Sequence, residues 1–202
     1  MKNFIVDYGS GNLGSIVNAL NRLGFTYKIT AEKSEIQSAD RLILPGVGNS
    51  EFVINRVKEL QLLDTLRIKI NKDEIPTLGI CLGMQIMCEF TEEGNVKNIG
   101  IIKDNVTKLP DSPFNPIPNI GWRNFKTVTK HMLTEELKIE ESTYYSHSYA
   151  LLGPLDAEVL ATTFYNAEFA SIIKKKNFIG VQFHPEKSLT NGDILLRNFN
   201  KI

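Results

Sequence analysis

Hydrophobic positions alternate between two periods along this chain. Asn3 to Tyr8, built on the apolar Phe4-Ile5-Val6, has the pattern of a buried strand. After the turn Gly9-Ser10-Gly11-Asn12-Leu13-Gly14, Ile16, Val17, Leu20 and Leu23 recur at helical spacing, and Gly24 suits a C-cap. Phe25 to Thr30 predicts a second strand and Arg41 to Leu44 a third. Helical patterns follow over Ser50–Leu60 and Leu62–Lys72. Pro76 then opens a short apolar run, Thr77 to Ile80, that passes into a helix predicted to continue through Leu82, Ile86 and Cys88-Glu89-Phe90.

Beyond Glu93 the period shortens. Ile99–Ile102 and Asn105–Lys108 predict short strands, and the four prolines between Leu109 and Trp122 predict an ordered loop. Gly121–Val128, Thr143–Tyr149, Glu158–Phe164 and Phe169–Lys174 are β-like, and Lys174-Lys175-Lys176 reads as a solvated hairpin tip. Phe178–Phe183 predicts a strand and Asp193–Phe199 a closing helix. The expected fold is α/β: a mainly parallel sheet flanked by helices, with an antiparallel portion late in the chain.

Composition narrows the function. The 202 residues fit a single domain, 1–202, and an apolar content of 42% fills its core. With 23 basic and 23 acidic residues the net charge is zero, which argues against a nucleic-acid partner. No apolar run approaches the ~20 residues of a membrane helix, and the N-terminal run is too short for a signal peptide. Cys81 and Cys88, seven apart on one predicted helix and so ~10 Å apart along it, are too distant for a disulfide. Reduced thiols fit a cytoplasmic protein. No metal-ligand spacing stands out.

Three stretches carry candidate chemistry. Gly9-x-Gly11-x-x-Gly14 sits at the first strand-to-helix turn with Glu32 about twenty residues on, the outline of a dinucleotide fingerprint. A tight βα turn gives the same pattern without any cofactor. Gly79-x-Cys81-x-Gly83 sets a thiol between glycines at a sharp strand-to-helix turn, where small neighbours are needed and the helix N-terminus favours a thiolate. A buried structural cysteine would read alike, so the thiol needs a partner. Of the three histidines, His131 lies in a polar, helix-like stretch and His147 in Tyr144-Tyr145-Ser146-His147-Ser148-Tyr149. His184 is the best base: in His184-Pro185-Glu186, residues two apart on an extended chain face one way, so Glu186 can orient the imidazole. Cys81, His184 and Glu186 together have the logic of a nucleophile, base and orienter.

Gly79-Ile80-Cys81-Leu82-Gly83-Met84-Gln85 paired with Val181-Gln182-Phe183-His184-Pro185-Glu186-Lys187-Ser188 resembles the class I, triad-type glutamine amidotransferases, and the likeness covers nearly the whole chain. Asp7 to Leu13, Pro45-Gly46-Val47-Gly48, Ile120-Gly121-Trp122 and His147-Ser148-Tyr149 resemble in particular the glutaminase subunits of imidazole glycerol phosphate synthases, of histidine biosynthesis. The resemblance implies glutamine as substrate, no cofactor, and ammonia passed to a barrel-shaped cyclase or synthase subunit in a heterodimer. It implies oxyanion donors at the Leu82 and Val47 N–H groups, beside Gly48, and substrate contacts from Gln85, Glu93 and Ser148. It places a docking edge at Trp122, Arg123 and Asn12. It also removes the dinucleotide reading, since the family's first turn binds none.

Two segments depart from the family pattern. Pro118-Asn119-Ile120-Gly121-Trp122-Arg123 stands where Pro-His-x-Gly-Trp-Asn is usual, and Tyr144-Tyr145-Ser146 where Tyr-Phe-Val is usual. An arginine there adds a charge that favours an acidic or phosphate partner. The alternative to the histidine-pathway subunit is therefore a paralogue supplying a different synthase, such as a sugar amidine-forming enzyme.

Overall fold

The computed structural model describes residues 2–202. The first strand, β1 (Asn3–Val6), leads through the glycine-rich turn into α1 (Leu13–Arg22), whose N-terminus Asn12 caps by accepting from the Ser15 N–H at 3.2 Å. β2 (Tyr27–Thr30), α2 (Lys33–Gln37) and β3 (Leu42–Leu44) follow. Next come α3 (Ser50–Glu59) and α4 (Leu63–Arg67), the latter running into a π-helical turn, Ile68–Lys72. β4 (Thr77–Ile80) then delivers the chain to Cys81 and to α5 (Leu82–Gln85).

The remainder is mostly strand: β5 (Phe90–Thr91), β6 (Val96–Lys97), β7 (Asn105–Lys108), β8 (Asn119–Arg123), β9 (Phe125–Val128), β10 (Thr143–His147) and β11 (Tyr149–Ala150). β12 (Glu158–Tyr165), β13 (Ala167–Lys175) and β14 (Phe178–Val181) precede α6 (Leu189–Asn200). One eight-stranded sheet has the order β2-β1-β3-β4-β14-β13-β12-β9. Its first five strands pair in parallel and the rest antiparallel, as expected. β8 and β10 form a separate antiparallel ribbon, and β11-β7-β5-β6 a small third sheet.

Alternation on the strands sorts the core into two layers. Leu42 and Leu44 of β3 pack with Val53, Ile54 and Val57 of α3 on one face. Ile5, Ile43, Leu78 and Ile80 pack with Ile16, Ala19 and Leu20 of α1 and Leu195 and Leu196 of α6 on the other. No helix among the described residues is long and apolar enough to cross a membrane.

The predicted helix beyond Cys81 is far shorter than its apolar pattern suggests. It stops after one turn because another segment captures its carbonyls. Ile99 N–H bonds to Ile86 O at 2.9 Å, Gly100 N–H to Cys88 O at 2.9 Å, and Ile101 N–H to Met87 O at 2.8 Å. The same bonds explain why Ile99–Ile102 is no strand: its donors are spent capping the turn. Cys81 and Cys88 therefore do not share a helix, and both are free thiols. The expected loop to Trp122 ends early, at cis Pro118, after which β8 begins. The expected strand Gly121–Val128 breaks at Asn124, sending β8 and β9 to different sheets. His131 lies in a turn instead of a helix, half-buried. At the lysine tip, Lys175 pairs with Asp156, and Lys176 with Glu74 at 2.6 Å.

Candidate active site

The turn at Cys81 is strained and sterically locked. Cys81 has φ +50° and ψ −107°, a conformation few side chains adopt. It is held by its N–H on Val181 O at 2.7 Å, and by Met84 and Gln85 N–H groups returning to Cys81 O. Glycine is required around it. A Cβ on Gly83 would stand 1.9 Å from Leu44 O, one on Gly79 2.7 Å from Gly83 O, and one on Gly46 2.4 Å from Gly83 N. The Pro45–Gly48 loop thus lies directly against the Cys81 turn. As first residue of α5, Leu82 has no carbonyl within its own turn for its N–H.

β14 is the parallel neighbour of β4, so its end brings His184 beside Cys81. His184 N–H bonds to Tyr144 O at 2.8 Å, and Ser188 Oγ donates to His184 O at 2.6 Å while accepting from Tyr144 N–H at 2.9 Å. His184 Nδ1 is 2.9 Å from Glu186 Oε1, with both side chains only 2% exposed. The pairing arises differently from the expectation of an extended chain. Pro185–Lys187 is a 3-10 turn that folds Glu186 back under the imidazole. Burial disfavours the imidazolium, but the Cys81 sulfur, by charge and hydrogen bond, and the Glu186 carboxylate overcome it and raise the His184 pKa to about 10.

A cleft of about 200 Å³ opens on the other side of the sulfur. It is lined by Val47, Gly48, Leu82, Gln85, Glu93 and Ser148 among others, so it gathers all six residues expected to hold the oxyanion or the substrate. Glu93 is fixed by Ser50, whose N–H and Oγ both donate to Oε2, at 2.9 and 2.8 Å. The Ser10 hydroxyl donates to Val47 O, tying the glycine-rich first turn to the loop. No local pattern in the sequence marks that serine for the role.

His147 also borders the cleft, buried and held below its usual range at about 4 because burial disfavours its charge. Cys88 is buried away from the cleft, and burial pushes its thiol well above the ordinary range. No cluster of His, Cys, Asp or Glu among the described residues could hold a metal ion.

Two of the three residues expected at a docking edge, Trp122 and Arg123, lie on β8. Trp122 is 42% exposed, and Ile120 on the same strand is 56% exposed. Trp122 meets Tyr144 edge-on at 5.8 Å, and the Tyr144 ring lies 6.2 Å from that of His184. Arg123 stacks 4.7 Å over Tyr165 and donates to Trp122 O at 2.7 Å. Asn12 is engaged as the cap of α1.

Residues 4–201 match the family model described as glutamine amidotransferase class-I. The chain is 42% identical over 195 residues to imidazole glycerol phosphate synthase subunit HisH of Haemophilus influenzae, covering 96% of this chain and 94% of that one. It is 41% identical to subunit HisH 2 of Methanococcus maripaludis, covering 98% of each. A crystal structure of a glutamine amidotransferase superposes with a TM-score of 0.75 at 20% identity, covering 98% and 97%. The match along almost its entire length therefore places the chain among the class I glutamine amidotransferases, in the HisH family of imidazole glycerol phosphate synthase subunits.

Proposed function

We propose that the chain hydrolyses glutamine to glutamate and ammonia, and that it supplies the ammonia for imidazole glycerol phosphate synthesis in histidine biosynthesis. The observation that carries this is the meeting of His184 and Glu186 with Cys81, which itself lines the cleft. The Cys81 thiolate attacks the side-chain amide carbon, and the carbonyl π pair moves to oxygen. That oxyanion is received by the Leu82 and Val47 N–H groups. On collapse the C–N bond breaks, His184 gives its proton to the departing ammonia, and a glutamyl thioester remains. His184 then takes a proton from water as the hydroxyl adds to the thioester. Collapse of this second intermediate releases glutamate and the thiolate.

Gln85, Glu93 and Ser148 hold the amino acid end of the substrate. Both Gln85 Nε2 hydrogens are spent, on Tyr149 O at 2.8 Å and on Gln182 Oε1 at 3.0 Å. Only its Oε1 is left for a ligand, which suits the α-ammonium group. Glu93 Oε1 suits the same group, because Ser50 occupies Oε2.

The whole chain acts as one amidotransferase unit of a heterodimer, in a reducing compartment such as the cytoplasm. A barrel-shaped synthase subunit docks on the edge formed by Asn12, Trp122 and Arg123, where exposed Ile120 and Trp122 supply apolar area. Among the described residues no carboxylate pairs with Arg123, so its charge is available for an acidic group of the partner. In isolation the chain is a poor glutaminase, because the glycines of the loop let the Val47 N–H turn away. Docking sets it.

A second reading rests on Asn119 and Arg123, which stand where the family usually has His and Asn: a paralogue serving another synthase, for instance one building a sugar amidine. One experiment separates the two. The chain is mixed with the histidine-pathway cyclase, and glutamine-dependent imidazole glycerol phosphate formation is measured. Formation of the product supports the first reading. Failure to form a complex, while a second cyclase-like protein binds and stimulates glutamine hydrolysis, supports the paralogue.

A further inference from the structure

A buried chain of polar groups ends on the sulfur of Cys81. The side chains of Asn119, Gln85 and Gln182 are 0%, 4% and 0% exposed, and His147 is 7% exposed. Asn119 Nδ2 lies 3.1 Å from His147 Nε2, and His147 Nδ1 lies 2.9 Å from Tyr149 O. Gln85 Nε2 lies 2.8 Å from the same carbonyl and 3.0 Å from Gln182 Oε1. Gln182 Nε2 lies 3.6 Å from Cys81 Sγ.

One main-chain carbonyl dictates the direction of every bond in this chain. Tyr149 O can only accept, so both groups that meet it must donate. His147 is therefore protonated on Nδ1, its Nε2 is a bare acceptor, and Asn119 must turn its NH₂ toward it. Gln85 must likewise present its NH₂ to Tyr149 O. The second hydrogen of that NH₂ meets Gln182, which must answer with Oε1. The NH₂ of Gln182 is thereby left facing the sulfur. Reversing any one amide sets donor against donor or oxygen against oxygen in a water-poor interior, at a cost that keeps the arrangement single.

We infer that Gln182 is a fixed hydrogen-bond donor to the Cys81 thiolate, aimed by Tyr149 O through Gln85. The inference deepens the glutaminase reading and rests on Cys81 being its nucleophile. A donor to an anionic sulfur gains more than a donor to a neutral thiol. The thiol's own alternative is different: Sγ–H faces Ser146 O at 4.0 Å. Gln182 therefore favours the thiolate over the thiol, from the side of the sulfur reached by the buried chain.

The test is the rate of Cys81 alkylation by iodoacetamide against pH, followed by mass spectrometry on the full chain. Gln182→Met keeps the length and volume of the side chain and removes the donor. The alkylation curve should move up by about one pH unit, the worth of one hydrogen bond to a charged acceptor, and should meet the parental rate at high pH. Glutamine hydrolysis should lose kcat. Coincident alkylation curves for the variant and the parent would overturn the inference.

A measurement on the unmutated chain covers the case in which Gln182→Met fails to fold. With ¹⁵N-glutamine labelling, the side-chain NH₂ of Gln182 should shift along the Cys81 alkylation curve and stay flat in Cys81→Ala; a flat response in both overturns the inference. Failure of the parent reading shows separately, as an active Cys81→Ser enzyme.

Discussion

Gly46 and Gly83 meet backbone to backbone: a Cβ on Gly46 would stand 2.4 Å from Gly83 N. On its other side, a Cβ on Gly83 would be 1.9 Å from Leu44 O. Neither neighbour can swing aside, because both are main chain. Gly83→Ala should therefore cost about 3 kcal/mol or more and lower the melting temperature by about 10 °C. Gly14 in α1 is the control. Its nearest atom would be 4.0 Å from the new Cβ, so Gly14→Ala should leave melting unchanged or raise it slightly.

The two thiols should separate cleanly. Cys81→Ser should abolish glutamine hydrolysis while the chain still folds, since oxygen replaces sulfur at nearly the same size without the acidity of a thiol. Cys88 is buried and its thiol is pushed up by burial, so Cys88→Ser should leave kcat/KM within about twofold of the parent. Residual hydrolysis by Cys81→Ser within tenfold of the parent would remove Cys81 from its assigned role.

The raised pKa of His184 gives a pH signature. Its imidazolium is held by Cys81 and Glu186 up to about 10, against an ordinary value of 6.5. A folded-state pKa above the unfolded one contributes stability that is complete below about 6.5 and lost as pH climbs toward 10. Glu186→Gln removes part of that hold. The melting-temperature gap between parent and variant should thus be widest in mild acid and close toward pH 10. Proton NMR of the His184 ring should show its proton leaving at lower pH in Glu186→Gln and in Cys81→Ala. An unmoved titration in both variants would contradict the assignment.

Ser10 offers a handle on the loop. Its hydroxyl holds Val47 O, which steadies the peptide next to the expected oxyanion donor. Ser10→Ala should loosen that segment and raise the glutaminase rate of the isolated chain by about threefold, the worth of one neutral hydrogen bond. The rate in the assembled synthase should change less, because docking fixes the loop independently. A level basal rate would show that Ser10 does not restrain the loop, and a falling one that it holds the loop in its productive setting.

Short-range grammar made much of this legible in the sequence. The turn at Cys81 is written in glycines two residues either side, and the His184–Glu186 pair lies two residues apart behind a proline. The parallel half of the sheet follows from continuous apolar runs. Local pattern misleads wherever distant backbone decides. The apolar pattern beyond Leu82 looks helical, yet Ile99–Ile102 captures its carbonyls, and no local pattern announces that. The break at Asn124 depends on which strand each half finds to pair with. Gln182 stands within the motif that names His184, but its contact with Cys81 appears only when β14 lies beside β4.

That adjacency sets the order in which the proposed site can assemble during synthesis. Every strand from β5 to β14 lies between Cys81 and His184 in the chain. A nascent chain that has emerged past Cys81 but not past β14 carries the thiol without its proposed base. Any glutamine hydrolysis by that pair must wait until β14 has been made and has settled beside β4.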